Sequence, residues 1–152
     1  MGCECGTCQV QMDLRGFTLL NECAVLPVRA TKNSAGYDFY VPKDIRYEIL
    51  PGETKLIDTQ VAAYMNPNEY LDFRVRSSLA KSGLIFMNSC GVIDSDYYPN
   101  PIGAIVHNLS KETIVLEPGS KIAQGIFSTY LTILSEEEVT TERDGGFGST
   151  GE

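Results

Sequence analysis

Basic residues are scarce in this chain: 12 Lys and Arg stand against 20 Asp and Glu, for a net charge of −8 over 152 residues. That balance excludes broad nucleic-acid binding, which needs clustered cations to displace phosphate counterions. A phosphorylated ligand would have to be met locally, by a few arginines, backbone amides and a divalent cation. Long hydrophobic runs are also missing. No stretch of 18 apolar residues occurs, so no transmembrane helix is expected. The opening residues lack a basic-then-apolar leader, and the expectation is a soluble cytoplasmic protein. Histidine occurs once, at His107, and reads as a core or sheet-edge residue rather than a catalyst. Three of the five cysteines lie in Cys3-Glu4-Cys5-Gly6-Thr7-Cys8, but neither a second cluster nor a nearby His completes a tetrahedral zinc site.

What the chain does have is apolar material for one core, at 43% hydrophobic residues, distributed in short β-like runs. These are Phe17–Leu20, Tyr37–Val41, Thr54–Asp58, Val61–Met65, Tyr70–Val75, Leu84–Met87, Ala104–His107, Thr113–Leu116 and Ile122–Leu131. Turn formers separate them, among them Pro51-Gly52, Asn66-Pro67-Asn68, Tyr98-Pro99-Asn100-Pro101 and Pro118-Gly119. Such spacing predicts an all-β sandwich or barrel. Only Ser77–Ser82 reads as a short helix, with Ser77 or Ser78 as its cap. Residues 1–11 read as an extension outside the fold, 12–134 as the β domain, and 135–152 as an acidic arm with a glycine-rich tail.

Five segments carry candidate chemistry. Ser34-Ala35-Gly36-Tyr37-Asp38 sets a carboxylate after a small-residue turn, where it serves either a ligand or the turn's own N–H groups. Arg76-Ser77-Ser78-Leu79-Ala80 puts a cation and two hydroxyls where a strand becomes a helix, a natural phosphate seat as well as an ordinary cap. Gly91-Val92-Ile93-Asp94-Ser95-Asp96-Tyr97 ends an apolar strand in two carboxylates and a tyrosine, where burial normally excludes charge. There Asp94 is placed to polarise a water and Tyr97 to wall a sugar. Lys121-Ile122-Ala123-Gln124-Gly125 presents an amide in a strand. Finally Arg143 precedes Gly145-Gly146-Phe147-Gly148-Ser149-Thr150-Gly151-Glu152, a segment that cannot pack a core but can close over a ligand. Its glycines admit phosphate oxygens to backbone N–H groups, Arg143 adds a forked cation, and Phe147 offers a face to a base.

Taken in order, these five segments resemble the five motifs of the trimeric dUTP pyrophosphatases (dUTPases), from about Leu14 to Glu152. The resemblance implies a jelly-roll-like β-barrel in a homotrimer whose sites are shared between subunits. It implies hydrolysis of dUTP to dUMP and pyrophosphate with Mg²⁺, which keeps uracil out of DNA and supplies dUMP for thymidylate synthesis. Carried over residue by residue, Asp94 becomes the base for the attacking water, and Tyr97 the platform under deoxyribose. Arg76, Ser77, Ser78 and Gln124 would hold phosphates. Asp38 would sit near the phosphates and the hydrated metal, with no direct protein ligand to the ion. Asn88, Gly91, Ile93 and Gly103 would also bind the substrate. Phe147 and Gly148 would cover the uracil, with Arg143, Ser149 and Thr150 on the γ-phosphate. In the family the third motif and the tail at one site come from different subunits.

Two departures stand out. The turn after Tyr97 usually carries an Arg-Gly-like pair but reads Tyr98-Pro99-Asn100-Pro101-Ile102-Gly103, and Arg143 stands one residue nearer Phe147 than in many members. Two other functions compete. The second segment also resembles a motif of dCTP deaminases, which need a Glu on the strand reading Gly103-Ala104-Ile105-Val106-His107-Asn108, where none is present. A nucleotide-sensing module that binds a regulatory protein partner is the other, and it is compatible with catalysis.

Overall fold

The structure is a computed structural model that describes residues 14–148. The Cys3–Cys8 cluster, the proposed extension 1–11, Ser149 and Thr150 therefore lie outside the described residues. Along the chain run β1 (Gly16–Leu19), β2 (Val28–Arg29), β3 (Tyr37–Tyr40), β4 (Tyr47–Ile49), β5 (Thr54–Asp58), β6 (Val61–Tyr64) and β7 (Glu69–Val75). There follow α1 (Ser77–Lys81), β8 (Leu84–Phe86), β9 (Gly91–Asp94), a 3-10 turn (Ser95–Tyr97), β10 (Gly103–Asn108), β11 (Ile114–Leu116) and β12 (Lys121–Thr129).

All described pairings are antiparallel. The largest sheet has five strands in the order β2-β3-β12-β7-β9, a three-stranded sheet runs β5-β10-β8, and β1-β6 and β4-β11 form pairs. The expected all-β, jelly-roll-like architecture is present, but the sheets stay open and do not close into one barrel. Alternation along the strands explains the layering. In β7, Glu69, Leu71 and Phe73 are buried while Tyr70 and Asp72 are not. The core is aromatic at its centre, with Phe39 and Phe73 at 5.0 Å in a T-shaped pair, and Phe17 packed on Phe39 at 5.4 Å.

Two fully buried polar side chains tie the sheets together. Asn108, at the end of β10, donates from Nδ2 to the carbonyls of Ile49 (2.8 Å) and Glu112 (2.7 Å) and accepts from the Ser110 amide at 2.9 Å. Thr59 donates to the Ile102 carbonyl at 2.6 Å. Both groups are satisfied, as buried polar groups must be. The helix corrects one expectation: its cap is Arg76, in extended conformation and without a side-chain cap bond, rather than Ser77 or Ser78. The two serines already lie inside the first turn, so their hydroxyls are not needed as caps. His107 belongs to β10, and its Nδ1 meets Thr54 Oγ1 across the strand pair at 2.8 Å.

Candidate active site

The third segment is built as a strand that stops and turns. β9 delivers Asp94 at its last position, the 3-10 turn carries Asp96 and Tyr97, and residues 98–102 lead back into β10. This turn is tied to itself: Tyr97 Oη donates to the Pro101 carbonyl at 2.8 Å, and Asn100 donates to the Tyr97 carbonyl from both N (3.0 Å) and Nδ2 (2.8 Å). Tyr98 anchors its outer side, packing edge-on to Tyr64 at 6.0 Å. The altered hairpin sequence thus makes a defined turn that fixes the Tyr97 ring at both ends.

Above it lies a cleft of about 380 Å³ lined by Asn88, Gly91, Ile93, Asp94, Tyr97 and Gly103, and by Arg143, Phe147 and Gly148 from the tail. Phe147 stands perpendicular to Tyr97, ring centres 6.3 Å apart. Gly103 leaves room for that ring, since a Cβ there would stand 3.0 Å from Phe147 Cζ. Gly146 lets the tail backbone lie on Tyr97, because a Cβ would come within 2.5 Å of Tyr97 Cε2. Arg143 binds both carboxylates of the turn: Nε donates to Asp96 Oδ1 at 2.7 Å and Nη2 to Asp94 Oδ2. Its pKa is raised above the ordinary guanidinium value, chiefly by the Asp96 hydrogen bond. Burial pushes the Tyr97 phenol up, with the charge of Asp58 adding to it. On this chain the tail is held at the turn because Asp94 and Asp96 offer two carboxylates to one forked cation.

A second cleft, of about 540 Å³, gathers the other segments: Ser34, Gly36, Asp38, Arg76, Ser77, Ser78 and Gln124 line it. Asp38 on β3 stands directly opposite Gln124 on β12, which puts both side chains on one face. A Cβ at Gly36 would fall 2.6 Å from Gln124 Oε1, so the glycine is what lets the amide lie there. Asp38 is buried at 7% exposure. Arg76 Nε is 3.5 Å from its Oδ1 and Lys121 Nζ 2.9 Å from its Oδ2. Yet Oδ2 makes no hydrogen bond, so the close Lys121 contact is an ion pair whose direction is wrong for one.

No group of three His, Cys, Asp or Glu side chains able to grip a metal occurs among the described residues. A single buried carboxylate beside hydroxyls and an amide fits Mg²⁺, which keeps several waters and binds largely through substrate phosphates.

Every expected site residue among the described ones lines one of the two clefts, and the two clefts share no lining residue. The chain therefore brings the first, second and fourth segments together, and separately the third with the tail. Sequence reasoning passed over Asp96, which grips Arg143, and Lys121, which grips Asp38. Both stood inside quoted segments, but only tertiary contacts show what they touch.

The dUTPase family profile matches residues 22–151. The chain belongs to the dUTPase family. A curated relative from Lactococcus lactis, a deoxyuridine 5′-triphosphate nucleotidohydrolase, is 40% identical over 151 residues, covering 92% of this chain and 99% of its own. The crystal structure of a dUTPase from Streptococcus mutans is similar with a TM-score of 0.71 and 42% identity, over 78% of this chain and 98% of that one. A dUTPase from a Staphylococcus aureus phage, at 22% identity and a TM-score of 0.71, shares the dUTPase fold over 84% of this chain and 96% of its own.

Proposed function

We propose that this chain hydrolyses dUTP to dUMP and pyrophosphate by attack of water on the α-phosphate. The observation that carries this is the pairing of clefts on one fold. One is lined by a carboxylate and two aromatic rings, and the other by a cation and hydroxyls around a buried Asp. Hydrolysis of a phosphoanhydride needs an aligned water, a base and charge neutralisation, with no protein nucleophile.

In this mechanism Asp94 orients the water and takes its proton as the new P–O bond forms. The bond from the α-phosphorus to the bridging oxygen breaks, and pyrophosphate leaves. Arg76, Ser77 and Gln124 hold the phosphates. Tyr97, fixed by its bond to the Pro101 carbonyl, lies under deoxyribose and leaves no room for a 2′-hydroxyl. Phe147 stacks on uracil, and Arg143, Ser149 and Thr150 hold the γ-phosphate. For that, Arg143 exchanges its clasp on Asp94 for the phosphate, which frees the base as substrate binds. Asp38 and Gln124 would hold the waters of a bound Mg²⁺, whose chemistry would be charge neutralisation on the phosphates.

A complete site on this reading needs both clefts, so it is shared between copies in a homotrimer. The arm after β12 supports that assembly, because Leu131, Ile133 and Leu134 stand 98%, 70% and 107% exposed on a single chain. The test is pyrophosphate release from dUTP, UTP, dTTP and dCTP, with and without Mg²⁺. We expect dUTP to exceed dCTP by on the order of 10⁴-fold, since groups that pair with uracil are left unpaired by cytosine, and to exceed UTP because Tyr97 leaves no room for its 2′-hydroxyl. Comparable turnover of UTP and dUTP would remove Tyr97 from its role.

A further inference from the structure

Lys121 starts the fourth segment three residues before Gln124, and in a regular strand an odd spacing puts two side chains on opposite faces. Continued from Gln124 opposite Asp38, a regular ladder would set Lys121 opposite Val41, a fully buried core residue. The strand does otherwise. Its register shifts between Lys121 and Ala123, so that Lys121 stands opposite Tyr40. Ile122 and Ala123, at 1% and 0% exposure, then both go to the core in succession. A bulge of this kind re-aims a side chain. Here it turns a lysine out of the core and onto the sheet face that carries Asp38, where Nζ lies 2.9 Å from Asp38 Oδ2.

That contact has a chemical consequence. Asp38 is buried, its Oδ2 has no hydrogen-bond partner, and Arg76 lies 3.5 Å from the other oxygen. Without Lys121, the carboxylate would be balanced by Arg76 alone and would draw that guanidinium away from the phosphates. We infer that Lys121 is a positioning residue for hydrolysis: it neutralises the inner oxygen of Asp38, which leaves Arg76 and the outer oxygen free to serve the substrate. This rests on the dUTP reading above.

The test is a double-mutant cycle on the full chain, comparing wild type, Lys121→Met, Asp38→Asn and the double variant. Two readouts are taken, steady-state dUTP hydrolysis and calorimetric binding of a dUTP analogue with nitrogen bridging the α and β phosphates. Lys121→Met should lower kcat/KM by roughly tenfold or more and weaken analogue binding by a similar factor, with Lys121→Arg restoring most of both. In the Asp38→Asn background, adding Lys121→Met should change neither readout by more than about twofold. Losses that multiply in the double variant would make Lys121 a direct phosphate ligand and overturn the inference. So would a Lys121→Met enzyme of wild-type kcat/KM, whatever its Tm. If Lys121→Met does not fold, Lys121→Gln carries the same cycle. A wild type that releases no pyrophosphate from dUTP overturns the functional reading itself. An active wild type with multiplicative losses overturns this inference alone.

Discussion

Asp94 is held by the residue that is also proposed to bind substrate, and this double use shapes what substitution should do. Its carboxylate meets Arg143 at the turn, so Asp94→Asn removes the proposed base and also loosens the clasp on the tail. We expect kcat to fall by roughly 10²–10⁴, the usual loss for a positioned base, with KM changing only a few-fold. Steady-state kinetics on dUTP decide it, and an unaltered kcat would move the base elsewhere. Phe147 is 58% exposed and rests edge-on against Tyr97, so Phe147→Ala should cost little stability. It should instead lower kcat/KM by the worth of one base–aromatic stack, about 1–3 kcal/mol, or roughly five- to 150-fold. An unchanged kcat/KM would mean that the ring does not cover the base.

The elements show where sequence reading succeeds and where it stops. Thr54–Asp58 matches β5 at both ends, because the short run lies close between the turn former Pro51-Gly52 and the next strand at Val61. β2 and β4 went unread: Val28–Arg29 is two residues, and Tyr47-Glu48-Ile49 holds a charge, so neither offers enough period to count. The five motif segments were legible as short strings whose residue types suit phosphate or sugar. The β12 bulge was not, because a register shift leaves only two adjacent apolar residues, Ile122 and Ala123, as its trace. Nor was the grip of Asp96 on Arg143, a contact between positions 47 apart.

One element-level contact carries a pH prediction. Arg15, just before β1, donates from Nε and Nη2 to the carboxylate of Glu69 at the head of β7, at 2.6 and 3.1 Å. Glu69 is buried, and its pKa is lowered, first by the Arg15 hydrogen bond. A depressed carboxyl pKa stabilises the fold above the unfolded value of about 4.3, and that contribution is lost as pH falls through the lower folded value. Arg15→Met should therefore lower Tm by a few degrees at pH 7 and by progressively less below about pH 4. Thermal melts across that range check it, and an equal deficit at pH 3 and pH 7 would show that the clamp is not electrostatic.

For the whole molecule the decisive fact is that the two clefts lie apart on one chain. If Asp94 from one subunit meets Arg76 from another, Asp94→Asn and Arg76→Ala proteins should each be nearly inactive alone. Unfolded together in equal amounts and refolded, they should mix at random around a three-fold ring, and about a quarter of sites should then hold both intact residues. A mixture containing mixed trimers yet as dead as its parents would sink the shared site. A second pair, Asp94→Asn with a chain ending before Arg143, separates the two tail arrangements. Activity returns if the tail crosses to a neighbour, and stays absent if each tail keeps to its own Asp94.

If the site is shared as proposed, the separation of the clefts also makes turnover a gauge of protein concentration. A chain owning only half a site would do no work alone, so specific activity should fall on dilution as assemblies come apart. Excess substrate, by bridging both halves, should hold them together. A cell that makes few copies would then gain activity more steeply than in proportion to the copies it adds.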